Sequence, residues 1–153
     1  MLKILHIDSS ARHDGSVSRE LGTRLIERLG PDTDVKVRDL AAGVPLLSES
    51  TLDAMWTPEA ERTPDQQAQL SVADAFIAEL MDADVIVIGL PIYNFGPPAA
   101  MKAWADLVAR AILALSSSLI RRIDSRGEFE IHSISNPESY LCFFIVICHC
   151  ASS

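Results

Sequence analysis

The chain reads as an α/β protein built on a doubly wound parallel sheet, and three observations predict this. The first is the run Val85-Ile86-Val87-Ile88-Gly89-Leu90, aliphatic, rich in β-branched residues and too short for a helix of ordinary length. Such a run marks a strand buried on both faces, as parallel sheets provide. The second is the loop after that run. Pro91, Gly96, Pro97 and Pro98 stop both strand and helix before a segment of helical period begins. The third is a strand–helix–strand pattern at the N-terminus, whose right-handed crossover makes its two strands parallel neighbours.

Taken in order, Lys3 to Ile7 forms the first strand and ends at Asp8-Ser9-Ser10. Ala11 to Gly15 is a polar loop, and Ser16 stands where a helix N-cap belongs. Val17, Leu21, Leu25 and Leu29 recur every fourth residue with Ile26 beside them, which predicts an apolar stripe on that helix. Gly30-Pro31 ends it, and Val35-Lys36-Val37 is the second strand. Leu40 to Arg62 reads as a long irregular loop carrying Pro45, Pro58, Met55 and Trp56. Trp56 is expected to plug that loop onto the body; the alternative is a pocket wall for a flat substrate.

Thr63-Pro64-Asp65-Gln66 fits a capping box with proline at the first helical position. The helix it opens carries Leu70, Ala73, Ile77 and Leu80 on one face, with Phe76 beside them, and delivers the chain to the third strand. A third helix is expected from about Pro98 to Ala114, with Met101, Trp104, Ala105, Val108 and Ile112 at helical spacing. Asp106 and Arg110 are spaced for an i,i+4 ion pair. The sequence thus predicts one domain over residues 1–115, with strand order 2-1-3 and later strands incomplete or atypical.

Residues 116–153 have another character and read as a truncated or out-of-frame end: Ser116-Ser117-Ser118, a polar stretch around Ser125-Arg126-Gly127, and three clustered cysteines. Ile131 to Ile134 and Tyr140 to Cys148 suit strands, and the second is placed to cover the open edge of the third strand.

The net charge of −8 argues against nucleic acid or an anionic membrane surface as partner. The longest apolar run, Tyr140 to Cys148, falls short of the ~20 residues of a membrane span. The N-terminus meets His6 and Asp8 too soon for a signal peptide. An odd number of cysteines at one end is no disulfide framework, so the cytoplasm is the expected compartment. Cys148-His149-Cys150 matches no zinc spacing, and His6 and His13 read as incidental, not as ligands.

In a sheet of this order the loops after the first and third strands face each other across the switch point, where α/β proteins bind ligands. The first loop offers Ser9, Ser10, Ser16 and Ser18 with the N–H groups of a helix N-terminus, donors suited to a phosphate. Neither Gly-x-x-x-x-Gly-Lys nor Gly-x-Gly-x-x-Gly follows a strand, which leaves a monophosphate. Ser16 as a simple cap, and Tyr93 and Phe95 as packing residues, are the plain alternatives.

Over Met1 to about Ala111 the sequence resembles the FMN-dependent NADH-azoreductases, also described as NADH:quinone oxidoreductases. The resemblance rests on Asp8-Ser9-Ser10, Ser16-Val17-Ser18, Val37-Arg38-Asp39-Leu40, Pro91-Ile92-Tyr93-Asn94-Phe95 and Leu107-Val108-Ala109-Arg110-Ala111. It implies a flavodoxin-like fold. It implies that Ser10, Ser16, Val17 and Ser18 hold the FMN phosphate, and that Ile92, Tyr93, Asn94 and Phe95 line the isoalloxazine ring. Electrons would pass from NADH to quinones or azo compounds in ping-pong order, in a homodimer, with the flavin carrying the chemistry and no catalytic side chain or metal required. Beyond Ala111 the likeness stops: the family's Ser-Arg-Gly-Gly turn is not repeated at Ser125-Arg126-Gly127-Glu128. Two alternatives stay open, a non-catalytic fragment that binds FMN weakly and an electron-carrier flavodoxin.

Overall fold

The computed structural model describes residues 1–110, 131–135 and 141–148. The first strand, β1 (Leu2–Asp8), lies between two parallel neighbours, β2 (Thr33–Asp39) and β3 (Val85–Pro91). Beyond them come β4 (Ile131–Ser135) and β5 (Leu141–Cys148), giving the order β2-β1-β3-β5-β4. The parallel 2-1-3 core is the predicted one. On its far side β5 runs antiparallel to β3, from Val85 opposite Cys148 to Pro91 opposite Cys142, and β4 runs antiparallel to β5. Only residues 136–140 join β4 to β5, and a link that short permits only antiparallel neighbours. The predicted break between residues 115 and 116, the end of the helix beyond residue 110, and Ser125-Arg126-Gly127 lie outside the described residues.

Among the described residues four helices accompany the sheet: α1 (Val17–Arg28), α2 (Glu49–Trp56), α3 (Pro64–Asp82) and α4 (residues 99–110). Strand side chains alternate between faces, so β1 divides its residues between two cores. Leu5 and Ile7, with Ile86 and Ile88 of β3, meet Leu40, Phe76, Trp104, Leu107 and Val108 in the larger core under α3 and α4. Ile4, Val85 and Val87 meet Ile26 of α1 in the smaller one. Each such fully buried side chain contributes about 1.5–3 kcal/mol.

Thr63 and Gln66 form the predicted capping box, with the Gln66 N–H on Thr63 Oγ1 at 3.3 Å and the Thr63 N–H on Gln66 Oε1 at 3.0 Å. Pro98 immediately precedes α4, and its carbonyl accepts from the N–H of Met101 at 3.0 Å.

Four expectations are corrected. The buried line of α1 is Ser18, Gly22 and Ile26, while Leu21 and Leu25 flank it and Leu29 is exposed. The helix sits too close to the sheet for larger residues: a Cβ on Gly22 would stand 2.4 Å from His6 Nε2. The segment from Leu40 to Arg62 is not irregular, because Ser48 accepts from the Thr51 N–H and opens α2, with 3₁₀ turns at Leu40–Ala42 and Glu59–Glu61. Trp56 is 76% exposed and plugs nothing; Val44, Leu47 and Met55 attach the segment to the larger core. Finally, Asp106 pairs with Lys102 and Arg110 reaches Asp74 on α3, since α4 packs beside α3 and a cross-helix carboxylate is within reach. No helix among the described residues is long and apolar enough to cross a membrane.

Candidate functional site

Parallel neighbours end at the same edge of a sheet, so β1 and β3 deliver their C-terminal loops side by side. Asp8 lies opposite Gly89 in register. Ser9 then ties the two strand ends together: its N–H donates to the Gly89 carbonyl at 3.2 Å and its Oγ to the same oxygen at 2.7 Å. Gly89 also gives α1 room, because a Cβ there would meet the Ser18 carbonyl at 3.2 Å.

The two loops touch through Tyr93. Its Oη lies 3.1 Å from Ser10 Oγ and accepts from the Ala11 N–H at 3.2 Å. Ser10 Oγ accepts from the Arg12 N–H at 3.2 Å. Either hydroxyl can donate across the Ser10–Tyr93 contact; with Tyr93 as the donor, the Ser10 hydroxyl keeps its own proton for a ligand oxygen. Ser10 and Ser18 are buried, and Ser16 and Val17 are half-buried at the start of α1. Ser16 holds the N-cap position, yet its hydroxyl makes no capping bond to the helix and lies 3.3 Å from Ser18 Oγ. First-turn N–H groups left uncapped by that side chain, beside the Ser16 and Ser18 hydroxyls, form a donor set suited to an anion.

The second loop is a tight two-residue turn. Tyr93 and Gly96 exchange hydrogen bonds of 2.8 and 3.0 Å around Asn94 and Phe95, whose φ angles are 50° and 67°. Asparagine accepts such a left-handed backbone, but phenylalanine does so at a cost on the order of 1–3 kcal/mol. Phe95 is also wholly exposed, while Ile92 and Tyr93 are half-buried. The eight residues singled out from the sequence therefore stand on two loops and the first turn of α1, at one edge of the sheet. Ser10 and Tyr93 are in direct contact across them.

Sequence reasoning missed a polar chain beneath the serine loop. Arg19 Nη2 donates to the Ser10 carbonyl and to Asp39 Oδ1, each at 2.7 Å, and its Nε to the Arg12 carbonyl at 2.9 Å. Its Nη1 lies 3.3 Å from Asp8 Oδ2. The Arg19 guanidinium holds the Asp39 carboxyl below the usual carboxylate range. His6 is buried and packs under Gly22 with Nε2 3.4 Å from Asp8 Oδ1. Burial pushes its pKa down, aided by Arg19 and opposed by Asp8. His6 Nε2 and Asp8 Oδ1 are both buried without a hydrogen-bond partner among the described residues. One sequence signal was available: an arginine in the first turn of a helix opposes the helix dipole and so asks for a specific partner. His13 is exposed, 3.6 Å from Asp39.

A cavity of about 520 Å³ opens elsewhere, between α1 and β2, lined by Ile26, Pro31, Val35 and Val37 among others. It contains none of the loop residues. Among the described residues no three His, Cys, Asp or Glu side chains cluster closely enough to share a metal ion.

A family model described as the flavodoxin-like fold matches residues 2–127. FMN-dependent NADH:quinone oxidoreductase 1 of Jannaschia sp. (strain CCS1) is 53% identical over 111 residues, covering 72% of this chain and 57% of that protein. FMN-dependent NADH:quinone oxidoreductase of Erythrobacter litoralis (strain HTCC2594) is 50% identical over 113 residues, with the same two coverages. The chain thus spans a little over half the length of the curated relatives it matches. Among solved structures, azoreductase from Bacillus anthracis str. Sterne superposes with a TM-score of 0.63 at 22% identity, covering 71% of this chain and 55% of that one. An FMN-dependent NADH-azoreductase from Bacillus anthracis str. Ames Ancestor, in complex with FMN, gives 0.59 at 23% identity with the same coverages. At those identities the superpositions speak for the fold.

Proposed function

Because the chain belongs to the family with the flavodoxin-like fold, we propose that it is an FMN-dependent oxidoreductase that moves electrons from NADH to quinones and azo compounds. The observation that carries this reading is the contact of Tyr93 with Ser10 and Ala11. It joins a loop of phosphate-type donors to a loop with an aromatic, strained tip, so that one phosphorylated flat cofactor can meet both. The names of the relatives at 53% and 50% identity support the same cofactor and donor.

In this reading Ser10, Ser16, Val17 and Ser18 hold the phosphate by hydroxyl and backbone N–H donors, with the α1 dipole favouring the anion. Local donors are what a chain of net charge −8 needs for an anionic ligand. Ile92, Tyr93, Asn94 and Phe95 line the ring, and the Tyr93–Gly96 turn, whose own hydrogen bonds use the Tyr93 N–H, fixes the backbone of Asn94 and Phe95. Bound FMN supplies the two-electron transfer, so the protein's part is position and hydrogen bonding. Donor and acceptor use one place in turn, a ping-pong order in which NAD leaves before the acceptor enters. A cytoplasmic homodimer completes the reading, with neither membrane nor nucleic acid as partner.

A second reading, FMN binding without turnover, is favoured by one fact: the likeness to these relatives covers 72% of this chain and leaves the rest unmatched. Purification followed by absorption spectroscopy and an NADH–quinone assay separates the two. A flavin band with NADH oxidation is expected. A flavin band without oxidation supports the second reading, and a protein that stays colourless in excess FMN overturns both.

A further inference from the structure

Arg19 stands in the first turn of α1, where its charge opposes the helix dipole, so its value lies in what it touches. It touches four groups from three parts of the fold. Two are carbonyls on either side of Ala11, those of Ser10 at 2.7 Å and Arg12 at 2.9 Å. Ala11 is the residue whose N–H reaches Tyr93 Oη. The other two are carboxylates, Asp8 at 3.3 Å and Asp39 at 2.7 Å, which lie opposite each other at the ends of β1 and β2. The Arg19 side chain is only 16% exposed and that of Asp8 9%.

The two carboxylates pose a problem for the proposed site. They sit at the same sheet edge as the serine loop, Asp8 directly before it in sequence, and both repel an incoming phosphate. Charges this poorly hydrated are felt strongly, because water screens them little. Arg19 is the arginine that both of them contact. A lysine offers a point charge and no planar fork, so it cannot meet two carbonyls and two carboxylates together.

We propose that Arg19 is the positioning residue of the phosphate loop: it fixes the Ser10–Ala11 and Arg12–His13 peptides and offsets Asp8 and Asp39, so that the loop accepts a phosphomonoester. The inference rests on the FMN reading and goes beyond it, because it assigns phosphate selectivity to a side chain outside the donor set.

The test compares dissociation constants for FMN and for riboflavin, which lacks the phosphate, by titrating flavin fluorescence against apoprotein. Wild type is expected to favour FMN. Arg19→Gln is expected to weaken FMN binding by about tenfold, the equivalent of about 1.4 kcal/mol, while riboflavin affinity changes little. Adding Asp8→Asn to Arg19→Gln is expected to restore part of the lost preference, a rescue that a merely structural arginine would not show. An unchanged preference in Arg19→Gln, or no rescue by Asp8→Asn, overturns the role of Arg19 and leaves the FMN reading standing. Wild type that does not distinguish the two flavins overturns the phosphate site itself. Circular dichroism checks folding. If Arg19→Gln does not fold, Arg19→Lys decides: a loss confined to FMN supports the role, and wild-type affinities overturn it.

Discussion

The two faces of the sheet are built on different plans. Under α3 and α4 the contact is made by large side chains, Phe76, Trp104, Leu107 and Val108 against Leu5, Ile7, Ile86 and Ile88. Under α1 the contact line is Ser18, Gly22 and Ile26, and the strand residues beneath include buried His6 and Asp8. The first face gains stability from volume. The second gives up volume for closeness, which brings the N-terminus of α1 down to the ends of β1 and β3, where the candidate site lies. The polar groups divide in the same way. On the large face Glu79 is answered by Arg38 and Lys36, whereas on the small face His6 Nε2 and Asp8 Oδ1 lack hydrogen-bond partners among the described residues.

Breaking the large face should cost most. Trp104→Ala removes a 5% exposed indole from the centre of the larger core, and truncations of this kind cost about 3–5 kcal/mol. Urea unfolding checks it. A loss below about 1 kcal/mol would mean that this core closes over the gap and is not volume-built. Breaking the small face calls for the opposite change, an added atom. Gly22→Ala improves helix propensity by up to about 1 kcal/mol, yet the new Cβ falls 2.4 Å from Nε2 of the buried His6 ring. Overpacking costs about 1–3 kcal/mol, so net destabilisation is expected. Stabilisation by Gly22→Ala would show that α1 is free to lift from the sheet.

This contrast also marks what the sequence could reveal. Large residues dominate periodicity, so the β3 run, the capping box at Thr63 and the helix carrying Leu70, Ala73 and Phe76 were all legible. Periodicity equally drew attention to Leu21, Leu25 and Leu29, when the contact line of α1 lay on the quieter Ser18 and Gly22. A small residue announces close approach only once its opposite is known, and here that is His6, on another element. Helix α2 was hidden because Pro45 and Pro58 bracket it, although Ser48 followed by Thr51 was a usable cap signal. The partners of Arg19 and Arg110 are tertiary facts that no spacing rule contains. Of the candidate site, the two loops were legible from their residue types; the polar chain beneath them was not.

A smaller effect sharpens the comparison of polar groups. Burial raises the Glu79 pKa, but hydrogen bonds and charge from Arg38 and Lys36 outweigh it, leaving the carboxyl below its ordinary value. Its contribution is therefore present above the unfolded value and is lost as pH falls through the folded one. Hydrogen bonds to charged groups contribute about 1.5–3 kcal/mol, and the exposed Lys36 is screened, so Glu79→Gln should cost about 1 kcal/mol at neutral pH. The difference from wild type should vanish in acid, below the usual carboxylate range. A gap independent of pH would mean that the glutamine fails through packing.

The smallest expected effect belongs to His6, and its sign separates the two faces. Burial lowers the folded-state pKa below the unfolded value of about 6.5. As pH falls through that value the unfolded chain takes up a proton that the folded chain refuses, so stability declines with acidity. Asp8 opposes this by favouring imidazolium, while Arg19 and the close cover of Gly22 act with burial. The slope is therefore a fraction of the one-proton limit of about 1.4 kcal/mol per pH unit. His6→Gln, compared with wild type in urea between about pH 7 and about pH 5, should flatten that part of the profile. Glu79→Gln should leave it unchanged, because that carboxylate stays ionised throughout the window. A wild-type profile that rises toward acid would mean that His6 charges in place and pairs with Asp8, and the small face would then carry an ion pair instead of a neutral ring.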